Sequence, residues 1–152
     1  RASNDMTAVP LRKTDAATSR RMALQRRRDT HTERAIRSVL HARGRRFRLH
    51  RKPVAGLRRE ADLIFAGGRV AVMIDGCFWH GCPTHGTWPR TNADWWRRKI
   101  EGNVVRDRDT DARLRQAGWT VVRVWEHEDP ELAADRIEVV LGVSSRARRK
   151  LS

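Results

Sequence analysis

Residues 70–86 read VAVMIDGCFWHGCPTHG, an apolar run that passes directly into two cysteines, two histidines and two large aromatics. From Val70 to Ile74 the polar–apolar alternation of a half-exposed strand is missing. An unbroken apolar run of this length suits a strand covered on both faces, which places it at the centre of a sheet. At its end stand Asp75, Cys77, His80, Cys82 and His85, side chains that bind metals or move protons, with Phe78 and Trp79 between them. A buried strand that carries reactive groups at its tip is a common active-site arrangement.

The flanking sequence supplies layers for that sheet. Thr30 or Thr32 can cap a helix whose apolar positions Ala35, Ile36, Val39 and Leu40 recur at helical spacing until Gly44. Glu33 falls in its first turn, where the helix dipole favours a carboxylate. Short strands are expected over 47–50, 59–65 and 69–75, with Gly67-Gly68 as a two-residue hairpin turn. A long helix is expected over 93–116, capped by Thr91 or Asn92 and ended by Gly118, then a strand over 119–125 and a last helix over 131–141 begun by Asp129-Pro130. The segment after residue 143 reads as a basic, frayed tail. This order gives an α/β domain layered around a mixed sheet. Residues 1–28 have little apolar periodicity and read as a basic arm, helical near Met22, able to lie along phosphates.

With 152 residues the chain can bury a core as one domain without disulfide staples. Its 33 Lys and Arg against 18 Asp and Glu leave a formal net charge of +15, which calls for a polyanionic partner. No apolar run approaches the roughly 20 residues of a membrane span, and the basic residues do not line a lipid-inserting helix. Nucleic acid is therefore the expected partner, not a membrane. Two cysteines make no disulfide framework, and no signal or transit peptide is visible, so a reducing cytoplasm is the expected compartment.

Two sets of side chains carry chemistry. Cys77, Cys82 and His85 lie in one tight loop, and thiolates with imidazoles in tetrahedral array make a structural zinc site. Spacing alone offers either His80 or His127 as the fourth ligand. The second set is hydrolytic. Element order can bring together Glu33, Asp62, Asp75, His80 and Asp107, and phosphodiester hydrolysis needs a hard cation such as Mg2+ on one or two carboxylates, plus a base. Asp62 sits between Ala61 and Leu63 in a strand, where a carboxylate is costly unless paired or metal-bound. It is the expected metal anchor, and His80 the expected base. Trp95, Trp119 and Trp125 read as core, whereas Phe78, Trp79 and Trp96 are candidates for insertion between base pairs.

The segments DGCFWHGCP, TNADWWRRKIEGNVVRDRD and GWTVVRVWEHE resemble the very-short-patch repair (Vsr) endonucleases, a branch of the PD-(D/E)xK nuclease superfamily. The resemblance spans about residues 19–140. It implies a single-domain, restriction-endonuclease-like three-layer fold, with a central mixed β-sheet flanked by helices and a structural zinc site. The nuclease domain would occupy residues 19–143, between a flexible basic arm (1–18) and a basic tail (144–152). The implied activity is a Mg2+-dependent nick 5′ of the thymine in a T:G mismatch, the product of 5-methylcytosine deamination, by a monomer on double-stranded DNA. Mismatch-repair proteins are candidate partners.

Carried over by position, Asp62 and the Ile74 carbonyl hold Mg2+, His80 is the general base, and Glu33 and Asp107 hold waters around the metal. Phe78, Trp79 and Trp96 form the intercalating wedge, with Met22 approaching from the opposite groove. The structural zinc falls to Cys77, Cys82, His85 and His127. Three positions depart from the family pattern. Asp75 stands where a second catalytic histidine is usual, one of the zinc thiols is a histidine here with the loop one residue shorter, and Ala61 replaces the proline before the metal aspartate. Two rival readings remain: a nickase directed by sequence or base modification, and a zinc-stabilised DNA-binding module whose catalysis has decayed.

Overall fold

The computed structural model describes residues 30–76, 82 and 91–150. Among these residues four strands form one sheet in the order β1-β2-β3-β4, comprising β1 (Arg48–Arg51), β2 (Ala61–Phe65), β3 (Val70–Asp75) and β4 (Thr120–Trp125). The first two pairings are antiparallel and β3–β4 is parallel, so the sheet is mixed as expected. Among the described residues three helices flank it: α1 (His31–Ala42), α2 (Ala93–Gln116) and α3 (Pro130–Lys150).

Strand β3 is buried along nearly its whole length, as its unbroken apolar run requires. On one side of the sheet Val70, Val72, Val122 and Val124 pack with Ile36 and Leu40 of α1 and Ala133, Ala134, Ile137 and Leu141 of α3. On the other, Ala71 and Met73 pack with Leu114 of α2, and Val121 joins them. The result is three layers, with α1 and α3 on one face and α2 on the other. Because side chains alternate along a strand, the parity that sends Ala71 and Met73 toward α2 also sends Asp75 there, and Val121 brings Arg123. The sheet thereby aims two charged groups at one helix.

Local chemistry explains the element ends. The Thr30 hydroxyl accepts the Glu33 N–H at 3.2 Å and caps α1, while Thr32 instead donates to the Glu126 carbonyl at 2.8 Å. Gly118, at φ +87°, turns the chain out of α2, and the Trp119 N–H closes back on the Leu114 carbonyl at 2.9 Å. Asp129 caps α3 by accepting the Glu131 and Leu132 N–H groups.

Three expectations need correction. The β2–β3 turn is longer than two residues: Phe65 pairs with Val70, so residues 66–69 all lie in the turn, and Arg69 rather than either glycine takes the left-handed conformation. Strand β2 begins at Ala61, later than expected. Helix α3 runs on to Lys150, because Gly142 tolerates helical geometry and no proline follows to stop it.

Candidate active site

A cleft of about 680 Å3 opens at the end of β3. Glu33, Asp62, Ile74, Asp75 and Asp107, which the sequence scatters over four elements, all line it. Each arrives for a local reason. Glu33 is in the first turn of α1, fixed by the Thr30 cap, and is buried. Asp62 is the second residue of β2, and its Oδ2 accepts the Ile74 N–H at 2.7 Å. Asp107 lies on the buried stripe of α2 with Trp96, Ile100, Thr110 and Leu114, one helical face facing the sheet.

Asp75 is engaged with a residue that sequence reading did not single out. Arg123 Nη1 lies 2.9 and 2.8 Å from its two oxygens, and the same guanidinium contacts both oxygens of Asp111 at 2.7–2.9 Å and stands 3.8 Å from Asp107 Oδ1. Burial works against the Arg123 charge, but Asp111 and Asp75 more than offset it and raise its pKa. The carboxylate at the usual histidine position is therefore tied to β4 and α2 through one arginine.

His50 was also missed. The pairs Leu49↔Leu63 and Arg51↔Ala61 leave it directly across from Asp62. Its Nε2 lies 3.1 Å from Glu33 Oε1 and its Nδ1 3.9 Å from Asp62 Oδ1. The only signal for it was the register of two short strands, which neither strand reveals alone.

Burial pushes the Asp62 carboxyl up to about 6, the Ile74 N–H and His50 pull it back, and Glu33 and Asp75 add repulsion. Carboxylates crowded in this way suit a divalent cation, which removes the repulsion that holds the proton on. Donor atoms of Glu33, His50 and Asp62 all lie within 4.8 Å of one another, so these residues fit such an ion. Around this acidic floor the rim is basic, carrying Lys52, Arg58 and Arg59 on one side and Lys99 and Arg106 on α2. Acid within and base around suits a phosphodiester backbone whose reacting phosphate meets a cation.

Beyond the cleft, Cys82 is buried and its Sγ lies 3.7 Å from His127 Nδ1. A tetrahedral zinc with sulfur at about 2.3 Å and nitrogen at about 2.0 Å has an S···N edge of about 3.5 Å, so the pair fits two ligands of one ion. Cys77, Phe78, Trp79, His80, His85 and Met22 lie outside the described residues.

The tryptophans differ from expectation. Trp95, expected in the core, is 48% exposed, whereas Trp96 is 6% exposed on the buried stripe of α2. One residue is about 100° of helix, enough to move a ring from one environment to the other. The two rings meet edge to face at 4.6 Å.

Comparison with known proteins gives the chain a lineage. Residues 12–85 match the profile of the family described as DNA mismatch endonuclease Vsr. The chain is 45% identical over 117 residues to the type II nicking enzyme V.NaeI of Lentzea aerocolonigenes, an overlap of 76% of this chain and 70% of that one. The chain belongs to the Vsr family. Its similarity extends to the type II nicking enzyme V.XorIIP of Xanthomonas oryzae pv. oryzae, 42% identical over 72% of this chain and 79% of the relative. The DNA mismatch endonuclease Vsr of Escherichia coli K12 is 34% identical over 73% of this chain and 70% of its own length. As a Vsr-family protein the chain is a DNA-nicking endonuclease, a hydrolase of phosphodiester bonds. Among the described residues no helix is long and apolar enough to cross a membrane.

Proposed function

We propose that this Vsr-family endonuclease nicks duplex DNA on the 5′ side of the thymine in a T:G mismatch, with Mg2+ as its catalytic cofactor. The observation that carries the reading is the meeting of Glu33, Asp62 and Asp107 in one cleft at the tip of β3, under a basic rim. Mismatch recognition draws its support from the Escherichia coli relative, which is named a DNA mismatch endonuclease.

Asp62 and the Ile74 carbonyl would hold Mg2+, which supplies neutralisation of the charge that builds on the phosphate. The Ile74 N–H fixes the Asp62 carboxylate, so its second oxygen is presented in one orientation. His80 takes the proton from the attacking water, and Glu33 and Asp107 orient that water. Asp75, paired with Arg123, steadies the strand tip from which His80 follows. The rim residues Lys52, Arg58, Arg59, Lys99 and Arg106 seat the backbone.

Phe78 and Trp79 form the wedge that opens the stack beside the mismatch, joined by Met22 from the other groove and by Trp96 once DNA draws it out of its covered position. A structural zinc on Cys77, Cys82, His85 and His127 holds the loop that carries wedge and base. The working unit is a monomer on mismatched duplex, with mismatch-repair proteins as candidate partners.

Nicking of T:G and T:A duplexes in several flanking contexts, with Mg2+, tests the reading. T:G is expected to be cut faster in every context, and Asp62→Ala to lose nicking while keeping DNA affinity. Equal rates on T:G and T:A overturn mismatch recognition and point to a nickase directed by sequence or modification.

A further inference from the structure

Histidine 50 stands in the wall of the catalytic cleft with a backbone that few non-glycine residues adopt. Its φ is +46°, in the left-handed region. Such conformations are strained and persist where the surroundings over-determine them, most often at functional sites. Here three elements converge on the ring. Edge strand β1 carries it, the first turn of α1 puts Glu33 Oε1 3.1 Å from Nε2, and the register with β2 sets Asp62 Oδ1 3.9 Å from Nδ1.

The ring lies between two carboxylates. Nε2 and Glu33 Oε1 are both buried and face each other at 3.1 Å without the alignment of a hydrogen bond. The 3.9 Å between Nδ1 and Asp62 Oδ1 is too long for a hydrogen bond and is of the size that an ion between two donor atoms fills. Donor atoms of His50, Asp62 and Glu33 all lie within 4.8 Å of one another.

We infer that His50 ligates the catalytic ion directly beside Asp62, making a mixed nitrogen–oxygen centre that takes Mn2+ in preference to Mg2+. The inference rests on the reading of Asp62 as the metal anchor and deepens it. The preference follows from ligand chemistry: Mg2+ demands oxygen donors and keeps much of its water, whereas Mn2+, still at home among carboxylates, lies on the transition-metal affinity series of nitrogen-bearing sites. A centre of carboxylate and carbonyl alone would lack that bias.

The test uses the full-length, zinc-loaded protein without DNA, so it does not depend on mismatch recognition. Mn2+ binding is followed by electron paramagnetic resonance, Mg2+ by competition, and coordination by electron spin echo modulation from directly bound 14N. Wild type is expected to show nitrogen modulation and to bind Mn2+ at least tenfold more tightly than Mg2+. His50→Gln is expected to abolish the modulation and weaken Mn2+ at least tenfold while changing Mg2+ affinity less than threefold.

Wild-type Mn2+ without nitrogen modulation, bound at a site that Asp62→Ala removes, overturns the role of His50 and leaves Asp62 as the anchor. Binding that survives Asp62→Ala unchanged overturns both. The wild-type spectrum alone decides the matter if His50→Gln fails to fold.

Discussion

Asp62 is the residue at which stability and function oppose each other. Its folded pKa of about 6 lies above the ordinary value of 3.8, so between these values the folded chain holds a proton that the unfolded chain has released. Folding is therefore least favoured above pH 6, where the buried carboxylate is charged, and the penalty fades as pH falls toward 4. A shift of this size, discounted for the 26% exposure of the side chain, corresponds to about 1–2 kcal/mol. In magnesium-free, zinc-loaded protein, Asp62→Asn is expected to gain about that much in chemical denaturation at pH 8 and about half of it at pH 5. Saturating Mg2+ should stabilise wild type and not the variant, by mass action. A gain of equal size at both pH values would mean that the variant acts through packing rather than charge. The same residue marks how far sequence reading reaches. An aspartate flanked by Ala61 and Leu63 is conspicuous in one dimension, whereas His50, its neighbour across the strands, looks like any surface histidine until register and a left-handed φ place it.

Among the elements, Arg123 is the joint between sheet and helix. It emerges from β4 beside Met73 and gathers Asp75 from β3 and Asp107 and Asp111 from α2, with only 24% of its side chain exposed and its partners more buried still. Arg123→Met leaves three carboxylates facing one another without a cation and is expected to cost about 3–5 kcal/mol. Arg123→Lys, which keeps the charge but not the fork, should recover part of that loss in thermal or denaturant unfolding. A cost below about 1 kcal/mol for Arg123→Met would show that the carboxylates relax into solvent and that the joint is a surface feature. On the opposite layer Arg43 binds Glu131, Asp135 and Glu138 of α3, which raises its own pKa. That cluster is solvated and orients α3 more than it holds it. Helices and strands were legible because their periods are local: the run from Val70 to Ile74 needed no partner to declare itself buried. The Arg123 joint was not, since it depends on parity across two strands joined by a long helix. Trp95 was misassigned to the core for a related reason, because adjacent residues in a helix of this length share a composition but not a face.

For the molecule as a whole, the charge of +15 matters by where it sits. The cleft floor is acidic, and the cations arranged around it, Lys52, Arg58, Arg59, Lys99 and Arg106, are positioned for phosphates. Arg43 has an equal formal charge but faces three carboxylates on α3, so a polyanion gains little there. These two classes of arginine and lysine are separable by salt. Binding that neutralises phosphates releases counterions, and on duplex DNA each neutralised phosphate adds about 0.9 to the steepness with which log affinity falls against log salt. Lys99→Gln or Arg58→Gln is therefore expected to reduce that slope by about 1 and to weaken T:G and T:A duplexes alike, because backbone contacts position without reading sequence. Arg43→Gln, with the same change in net charge, should leave the slope unaltered. Measuring affinity from low to moderate salt distinguishes the two, and an equal reduction of slope at Arg43 and at Lys99 would mean that the overall field, not the rim of the cleft, holds DNA.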